Sequence, residues 1–265
     1  MRDTTIGNDS ALPILELKGV GKQFEMNGQR IDALHDANLQ VRKGEFICLI
    51  GASGCGKSTL LRAVAGFEPV TVGEALMWGV PIKGPAPDRG MVFQDYGLFP
   101  WLTVRGNIGF GPSSRGRPSA EVKETVERFI ELVGLQRFAD AYPHQLSGGM
   151  KQRVAIARVL ANDAEIVLMD EPFGALDAMT RERLQDELLD IWQRTGLTVL
   201  FVTHSIEEAI FLADRVVVMS PGPGRIDSEL TIELPRPRDV MSADFNAIRR
   251  ALSEKLHSHH GRKAA

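Results

Sequence analysis

The amino-acid sequence predicts an α/β fold, and three observations predict it. A short apolar run, Phe46 to Ile50, enters the loop Gly51-Ala52-Ser53-Gly54-Cys55-Gly56-Lys57-Ser58, which opens onto a helical pattern from Thr59 to Ala65. After Gly148 the chain alternates helical segments with short apolar strands. Ahead of the loop lie runs of alternating polar and apolar residues, which read as antiparallel strands. Strands alternating with helices imply a parallel sheet covered on both faces.

Taken in order, residues 1 to 12 are polar and predict a loose start. Leu15 to Val20 alternates as a strand does, Phe24 follows, and Asn27-Gly28 ends the stretch. Ala37 to Val41 leads through Lys43-Gly44 into the glycine loop's strand, and Gly66 ends the helix beyond it. Gly73 to Met77 and Gly90 to Gln94 read as further strands. Between Gln94 and Gln145 the pattern turns to loop and helix, with a Gly/Pro/Ser/Arg-rich linker over Gly111 to Ser119. Val122, Val126, Phe129, Ile130 and Val133 then share one helical face, which Gly134 stops. A helix from Gly148 to Leu160, a strand from Ile166 to Met169, a helix from Arg181 to Trp192 and a strand from Thr198 to Val202 restore the alternation. Ser205 with Glu208 reads as a capping box for Ile206 to Ala213, and Val216 to Met219 as another strand. One helical segment, Phe245 to Leu256, precedes a tail, His257-Ser258-His259-His260, that reads as a solvated end. The expected division is residues 1–12 flexible, 13–94 and 152–230 an α/β core with an antiparallel β subdomain, 95–151 an inserted helical subdomain, and 231–265 a short extension.

Bulk properties narrow the function classes. A chain of 265 residues, 43% of them hydrophobic, can bury a large core. Its net charge of -3 and pI near 6.1 argue against nucleic acid as principal partner, because phosphate backbones are held by surplus Lys and Arg. No run approaches the roughly 18 apolar residues of a membrane span, and the polar N-terminus has no secretory apolar stretch. The expectation is a cytosolic protein that reaches a membrane only by docking. Of the two cysteines, Cys48 reads as a small buried hydrophobe. Cys55 lies in the glycine loop, where a disulfide would deform the turn; a reduced thiol, open to reagents unless a nucleotide covers it, is expected.

The glycine loop carries the first chemistry. Its glycines let successive NH groups turn inward around an anion, and the following helix adds its positive N-terminal end. Lys57 would reach the β- and γ-phosphates of a nucleotide, and Ser58 would offer its hydroxyl to Mg²⁺. The second is Ile166-Val167-Leu168-Met169-Asp170-Glu171, an apolar strand that ends in two carboxylates. Asp170 is placed to hold Mg²⁺ through its water shell, and Glu171 to polarise a water attacking the γ-phosphate. The plain alternative is a solvated strand end.

Leu146-Ser147-Gly148-Gly149-Met150 precedes a helix, and here the chain resembles the ATP-binding subunits of ABC transporters, whose signature is LSGGQ. The resemblance covers almost the whole chain in the family's order: Phe24 as adenine-stacking aromatic, the P-loop, Gln94 as the Q-loop, the signature, Asp170-Glu171, Ala175-Leu176-Asp177 as the D-loop, and His204 as the switch histidine. It implies a P-loop NTPase (RecA-like) core with an antiparallel β subdomain and an inserted α-helical subdomain. It also implies ATP and Mg²⁺ as cofactors. Gly51, Ala52, Ser53, Gly54, Cys55, Gly56, Lys57, Ser58 and Thr59 would then cradle ATP in one protomer. Ser147, Gly148 and Gly149, with Asp177 reaching across, would close over it from a second copy in a homodimer. Gln94 would touch Mg²⁺ or the water, and His204 the γ-phosphate. Taken alone, a histidine at a strand end is more often structural, and Asp177 could equally be an ordinary helix cap. Met150 departs from the family's Gln, and Phe24 from its commoner tyrosine.

Gln94 opens the stretch Asp95-Tyr96-Gly97-Leu98-Phe99-Pro100-Trp101-Leu102, whose aromatics are either tucked under the helices or exposed for a partner. In importers of the family the neighbouring groove receives a membrane permease, fed in turn by an extracytoplasmic substrate-binding protein. The resemblance therefore implies a peripheral protein on the cytoplasmic face of the inner membrane. Phe173 to Arg181, Thr203 to Ala209, Ser220 to Arg225 and Leu234 to Arg238 are similar to the nitrate, sulfonate and taurine branch. The alternatives are an importer ATPase for another small solute and a soluble ABC protein of DNA repair or translation. Repair members carry a long coiled-coil insertion and translation members tandem cassettes, and this sequence has neither. A third alternative, a regulator that binds nucleotide without turnover, fits poorly with intact Glu171, His204 and Asp177.

Overall fold

The computed structural model describes residues 12–26, 28–174 and 176–260, with the side chains of 257–260 outside the description. The loose start expected of residues 1 to 12 thus falls almost wholly outside the described residues, as do the side chains of the histidine-bearing tail.

The chain runs β1 (Leu15–Met26), β2 (Gln29–Val41), β3 (Phe46–Gly51), α1 (Lys57–Ala65), β4 (Val72–Met77), β5 (Val80–Pro81) and β6 (Arg89–Val92). Helices α2 (Val104–Ser114), α3 (Ser119–Leu132) and α4 (Gly148–Ala161) follow. Then come β7 (Ile166–Asp170), α5 (Ala178–Thr195), β8 (Thr198–Val202), α6 (Ile206–Leu212), β9 (Arg215–Ser220), β10 (Arg225–Thr231) and α7 (Ala243–His260).

Two sheets result. Strands β2-β1-β4-β5 form an antiparallel four-stranded sheet, and the six-stranded sheet has the order β10-β9-β3-β8-β7-β6. Within the larger sheet β6, β7, β8, β3 and β9 are parallel, and only β10 runs antiparallel, on β9. The strand period of two divides its side chains between two cores. Phe46, Cys48 and Ile50 of β3 join Val167 and Met169 of β7 and Val199 and Phe201 of β8 in a core shared with α4 and α5. Ile47 and Leu49, with Ile166, Leu168, Leu200 and Val202, face the opposite core, which α1 and the antiparallel sheet complete. Strands covered on both faces have no polar side to expose, which is why they read as near-continuous apolar runs.

The structure departs from expectation in two places. Residues Gly111 to Ser114 are helical, not linker: α2 continues to Ser114 through Pro112. Its glycines serve close packing instead. A Cβ on Gly109 would lie 3.1 Å from Val126 of α3, and one on Gly111 would lie 2.7 Å from Asn162 just after α4. The helix is anchored at its start by Thr103, whose hydroxyl accepts from Gly106 N–H, and by the buried amide of Asn107, which donates to Phe99, Leu102 and Thr103 carbonyls. Secondly, β10 was not anticipated, because its burial alternates along a polar edge segment with only Ile226 and Leu230 as apolar residues. The division expected at 151/152 lies within α4, the helix already expected over Gly148 to Leu160.

Candidate functional site

The glycine loop joins β3 to α1 and is wedged among its neighbours. Gly54 and Gly56 have φ of 76° and 92°, the left-handed region where a Cβ is strained. A Cβ on Gly56 would also meet Leu34 Cδ2 at 2.7 Å and the Ala33 carbonyl at 2.8 Å. From the other side, Gly224 approaches so closely that a Cβ there would lie 2.1 Å from the Cys55 carbonyl oxygen. Lys57 is buried, and its ammonium donates to the carbonyls of Gly51 at 2.9 Å and Ala52 at 3.2 Å. These donations fix the ammonium at the base of the loop. Cys55 differs from the expected open thiol in its surroundings: it is fully buried, with Sγ 4.0 Å from Lys57 Nζ, and burial raises its pKa.

Two carboxylates enter from the end of β7, which β8 separates from β3 in the sheet. Ser58, in the first turn of α1, donates its hydroxyl to Asp170 Oδ1 at 2.8 Å across the end of β7. Glu171 follows with φ of 47°, a conformation rare for a residue with a side chain. Its N–H donates to the Val202 carbonyl and its own carbonyl accepts from Gly174 N–H, so the turn is held at both ends. Thr203 N–H donates to the Leu49 carbonyl, which ties the segment after β8 to the strand that feeds the glycine loop. His204 comes next and places Nδ1 3.3 Å from Glu171 Oε2. The loop after β3 and the end of β7 thus meet at a cavity of about 340 Å³, whose walls include Lys57, Ser58, Thr59 and Glu171, whereas His204 at the end of β8 lines a separate cavity with Ser205 and Glu207. The carboxyl edge of an open parallel sheet is where such folds bind ligands.

Two walls of this cavity were not anticipated. One is Ile31, Asp32 and Ala33 of β2, and the other is Gly222, Pro223 and Gly224 before β10. The Gly-Pro-Gly run carried the signal of a tight turn; nothing in Ile31 to Ala33 marked them as lining.

Other expected site residues lie elsewhere. Phe24 sits on β1 in register with Ile31 of the cavity wall, with the Lys22 ammonium 4.8 Å from its ring centroid. Gln94 lies beside the turn after Glu171, its Nε2 3.3 Å from where a Cβ on Gly174 would be. Asp177 caps α5, accepting from Thr180 N–H at 3.0 Å, and that backbone donor holds its carboxyl below the ordinary range. Ala175 lies outside the described residues. Ser147 is the exposed N-cap of α4 and accepts from Met150 N–H at 3.3 Å. Gly148 packs near Tyr96 and Leu176, and Gly149 has no room for a Cβ against Leu184. None of Ser147, Gly148 and Gly149 is among the residues that line the 340 Å³ cavity.

The aromatic stretch after Gln94 is both tucked and exposed. Phe99 packs on Phe110 with ring centroids 4.5 Å apart and lies under the Arg158 guanidinium, whereas Trp101 is 70% exposed. Phe67, Phe93, Phe99 and Phe110 line a groove of about 570 Å³ beside it. No helix among the described residues is long and apolar enough to cross a membrane.

A glycine loop between strand and helix, with a hydroxyl–carboxylate pair and a second carboxylate at the end of β7, defines a P-loop nucleotide-binding protein. Comparison with known proteins narrows the class. The model of the ABC transporter family matches residues 34–174. The chain is 55% identical over 90% of its length to an uncharacterized ABC transporter ATP-binding protein of Methanocaldococcus jannaschii, covering 89% of that relative. It is 51% identical to the nitrate import ATP-binding protein NrtD of a Synechocystis species, over 83% of each chain. It is 49% identical to the taurine import ATP-binding protein TauB of Roseobacter denitrificans, over 81% of each. Among solved structures, an ATP-binding cassette seen as a dimer in a post-hydrolysis state with ADP and Pi superposes with a TM-score of 0.71. That chain is 33% identical and is covered completely, against 83% of the present one. The chain belongs to the ABC transporter family, as an ATP-binding subunit with ATPase activity.

Proposed function

We propose that this subunit powers import of a small anion, such as taurine, nitrate or an aliphatic sulfonate, working as one of two ATPase copies beneath a membrane permease. The observation that carries the reading is the split of the site. Lys57, Ser58, Asp170, Glu171 and His204 gather at the strand ends, whereas Ser147 to Gly149 stand apart at the N-terminus of α4, exposed at Ser147. A helix N-terminus favours negative charge, so this second anion site suits the nucleotide of another copy. The relatives that import taurine and nitrate, and the dimeric cassette with ADP and Pi, support the same reading.

In this reading the loop from Gly51 to Gly56 cradles the phosphates and Lys57 leaves its carbonyls to meet them. Phe24 stacks on the base from the β1–β2 side. Ser58 and Asp170 present a hydroxyl and a carboxylate, hard oxygen donors at 2.8 Å from each other, which fit Mg²⁺. When bound, that cation neutralises charge on the phosphates. Glu171 polarises the attacking water, His204 holds Glu171 and the γ-phosphate in register, and Gln94 reports nucleotide state to the groove at Phe99. That groove, with exposed Trp101, is where the permease docks, and an extracytoplasmic binding protein delivers the solute to it. The subunit then sits peripherally on the cytoplasmic face of the membrane.

The test is to isolate the native complex from membranes, identify the proteins that accompany it, and measure ATP hydrolysis with nitrate, taurine and alkanesulfonates in turn. A permease should copurify, and one solute should raise turnover in the presence of its binding protein. Recovery with ribosomes or DNA and never with a permease overturns the importer reading.

A further inference from the structure

Glu208 is a buried carboxylate outside the 340 Å³ cavity, and the chemistry derived so far makes no use of it. The sequence pairs it with Ser205 in a reciprocal capping box, but only half of that box forms. Ser205 Oγ accepts from Glu208 N–H at 3.3 Å, as a cap should. The Glu208 side chain turns elsewhere: Oε2 accepts from the Thr203 hydroxyl at 2.6 Å, and Oε1 lies 3.4 Å from Arg181 Nε.

Each partner has a second attachment. Thr203 Oγ1 accepts from Ser205 N–H at 2.9 Å, so the residues on both sides of His204 are pinned to one hydroxyl. Arg181 Nη2 donates to the Leu176 carbonyl at 2.9 Å, one residue before Asp177. A continuous polar chain therefore runs from the Leu176–Asp177 turn through Arg181, Glu208 and Thr203 to the His204 turn. Burying a carboxylate costs free energy unless it is paired and hydrogen-bonded. An apolar residue at the start of α6 would fill the same space without that cost, so the carboxylate answers a need for geometry.

We propose that Glu208 and Arg181 are positioning residues for ATP hydrolysis, which tie the His204 turn to the Leu176–Asp177 turn and so set His204 against Glu171. The inference rests on the reading that Glu171 and His204 carry out hydrolysis. It adds that the Leu176–Asp177 turn, on the expected face of the second copy, is coupled to His204 within one chain by this ion pair.

The test compares Glu208→Gln, Arg181→Ala, Thr203→Val and Thr203→Ser in the full-length protein, each alone and combined with His204→Ala. The readouts are steady-state kcat and KM, the dissociation constant for ATP, and Tm. Glu208→Gln, Arg181→Ala and Thr203→Val should lower kcat by roughly 10- to 100-fold, the scale of a misplacement near 1 Å. ATP affinity should stay within about twofold, since none of these side chains lines the cavity. Thr203→Ser keeps the hydroxyl and should restore the rate. In the His204→Ala background, single-turnover rates should fall no further, because the positioned group is already gone. A further fall there by the same factor, or an unchanged kcat in the single variants, overturns the proposal. Arg181 is half-exposed, so Arg181→Ala remains informative if Thr203→Val does not fold. Glu171→Gln is the control for the underlying reading: full turnover in that variant sinks the reading itself, while its loss beside normal Glu208→Gln sinks only this inference.

Discussion

His204 Nδ1 lies 3.3 Å from Glu171 Oε2, across the gap between the ends of β7 and β8. The contact joins a histidine whose side chain is largely exposed to a carboxylate on a backbone held at φ of 47°. A left-handed residue costs about 1 to 2 kcal/mol over the ordinary conformation, so the surrounding turn maintains a geometry that the residue alone would not choose. Strained residues of this kind persist where the surrounding structure holds them, and the proposed role of Glu171 in hydrolysis gives such a geometry a use.

Replacement Glu171→Gln keeps the shape and removes the proposed base. Nucleotide binding should persist, and phosphate release should fall by about 10² to 10⁴, the usual contribution of a general base. Equilibrium binding of a fluorescent ATP analogue alongside steady-state phosphate release measures both. Turnover within a few-fold of the parent would remove Glu171 from the mechanism.

Gly224→Ala places a methyl group 2.1 Å from the Cys55 carbonyl oxygen, inside backbone that cannot move independently of the glycine loop. The expected result is a loss of about 1 to 3 kcal/mol of stability, as for other overpacked sites, together with weaker ATP binding. Denaturant melts and nucleotide titration test it. A variant of unchanged stability would show that the loop before β10 can withdraw freely.

Ser147 separates the cap from the anion site. Ser147→Asn preserves an N-cap and should leave Tm unchanged, whereas Ser147→Ala should cost about 1 kcal/mol through the lost cap to Met150 N–H. Ser147→Arg should spare ATP binding by the monomer and abolish ATP-dependent dimer formation and turnover. Light scattering with and without ATP in the Glu171→Gln background reports dimer formation, and normal dimerisation of Ser147→Arg would contradict a shared site.

For Cys55, burial raises the thiol pKa, so at pH 8 less thiolate is present than on a free cysteine. Alkylation by iodoacetamide should therefore be slower than for glutathione, and should accelerate on unfolding to the rate of an exposed thiol. Peptide mass mapping over time distinguishes Cys55 from Cys48. Modification of the folded protein at the free-thiol rate would mean that the loop opens far more often than its packing implies.

Much of this was legible in the residues. The parallel strands showed as apolar runs because both of their faces are covered, and Asp170-Glu171 stood out because a buried strand seldom ends in two charges. Helix α2 beyond Gly111 was not legible, since its glycines look like linker until Val126 and Asn162 are placed against them. Strand β10 was hidden by its polarity, because an edge strand needs few apolar residues. Ser205 and Glu208 had the spacing of a capping box, yet the carboxylate went to Thr203 and Arg181.

Local order alone determined the class: a glycine loop between strand and helix, two carboxylates after an apolar strand, a signature before a helix and a histidine after the next strand. What only the tertiary structure decided is which groups meet. Asp170 reaches Ser58 from 112 residues away, and Glu171 meets His204 across 33. Gly224 closes on the loop at Cys55, and Ser147 to Gly149 stay outside the cavity. The reason is physical: hydrogen bonding between neighbouring parallel strands sets the register that brings their ends together. That register depends on partners distant in the chain, which no local pattern specifies.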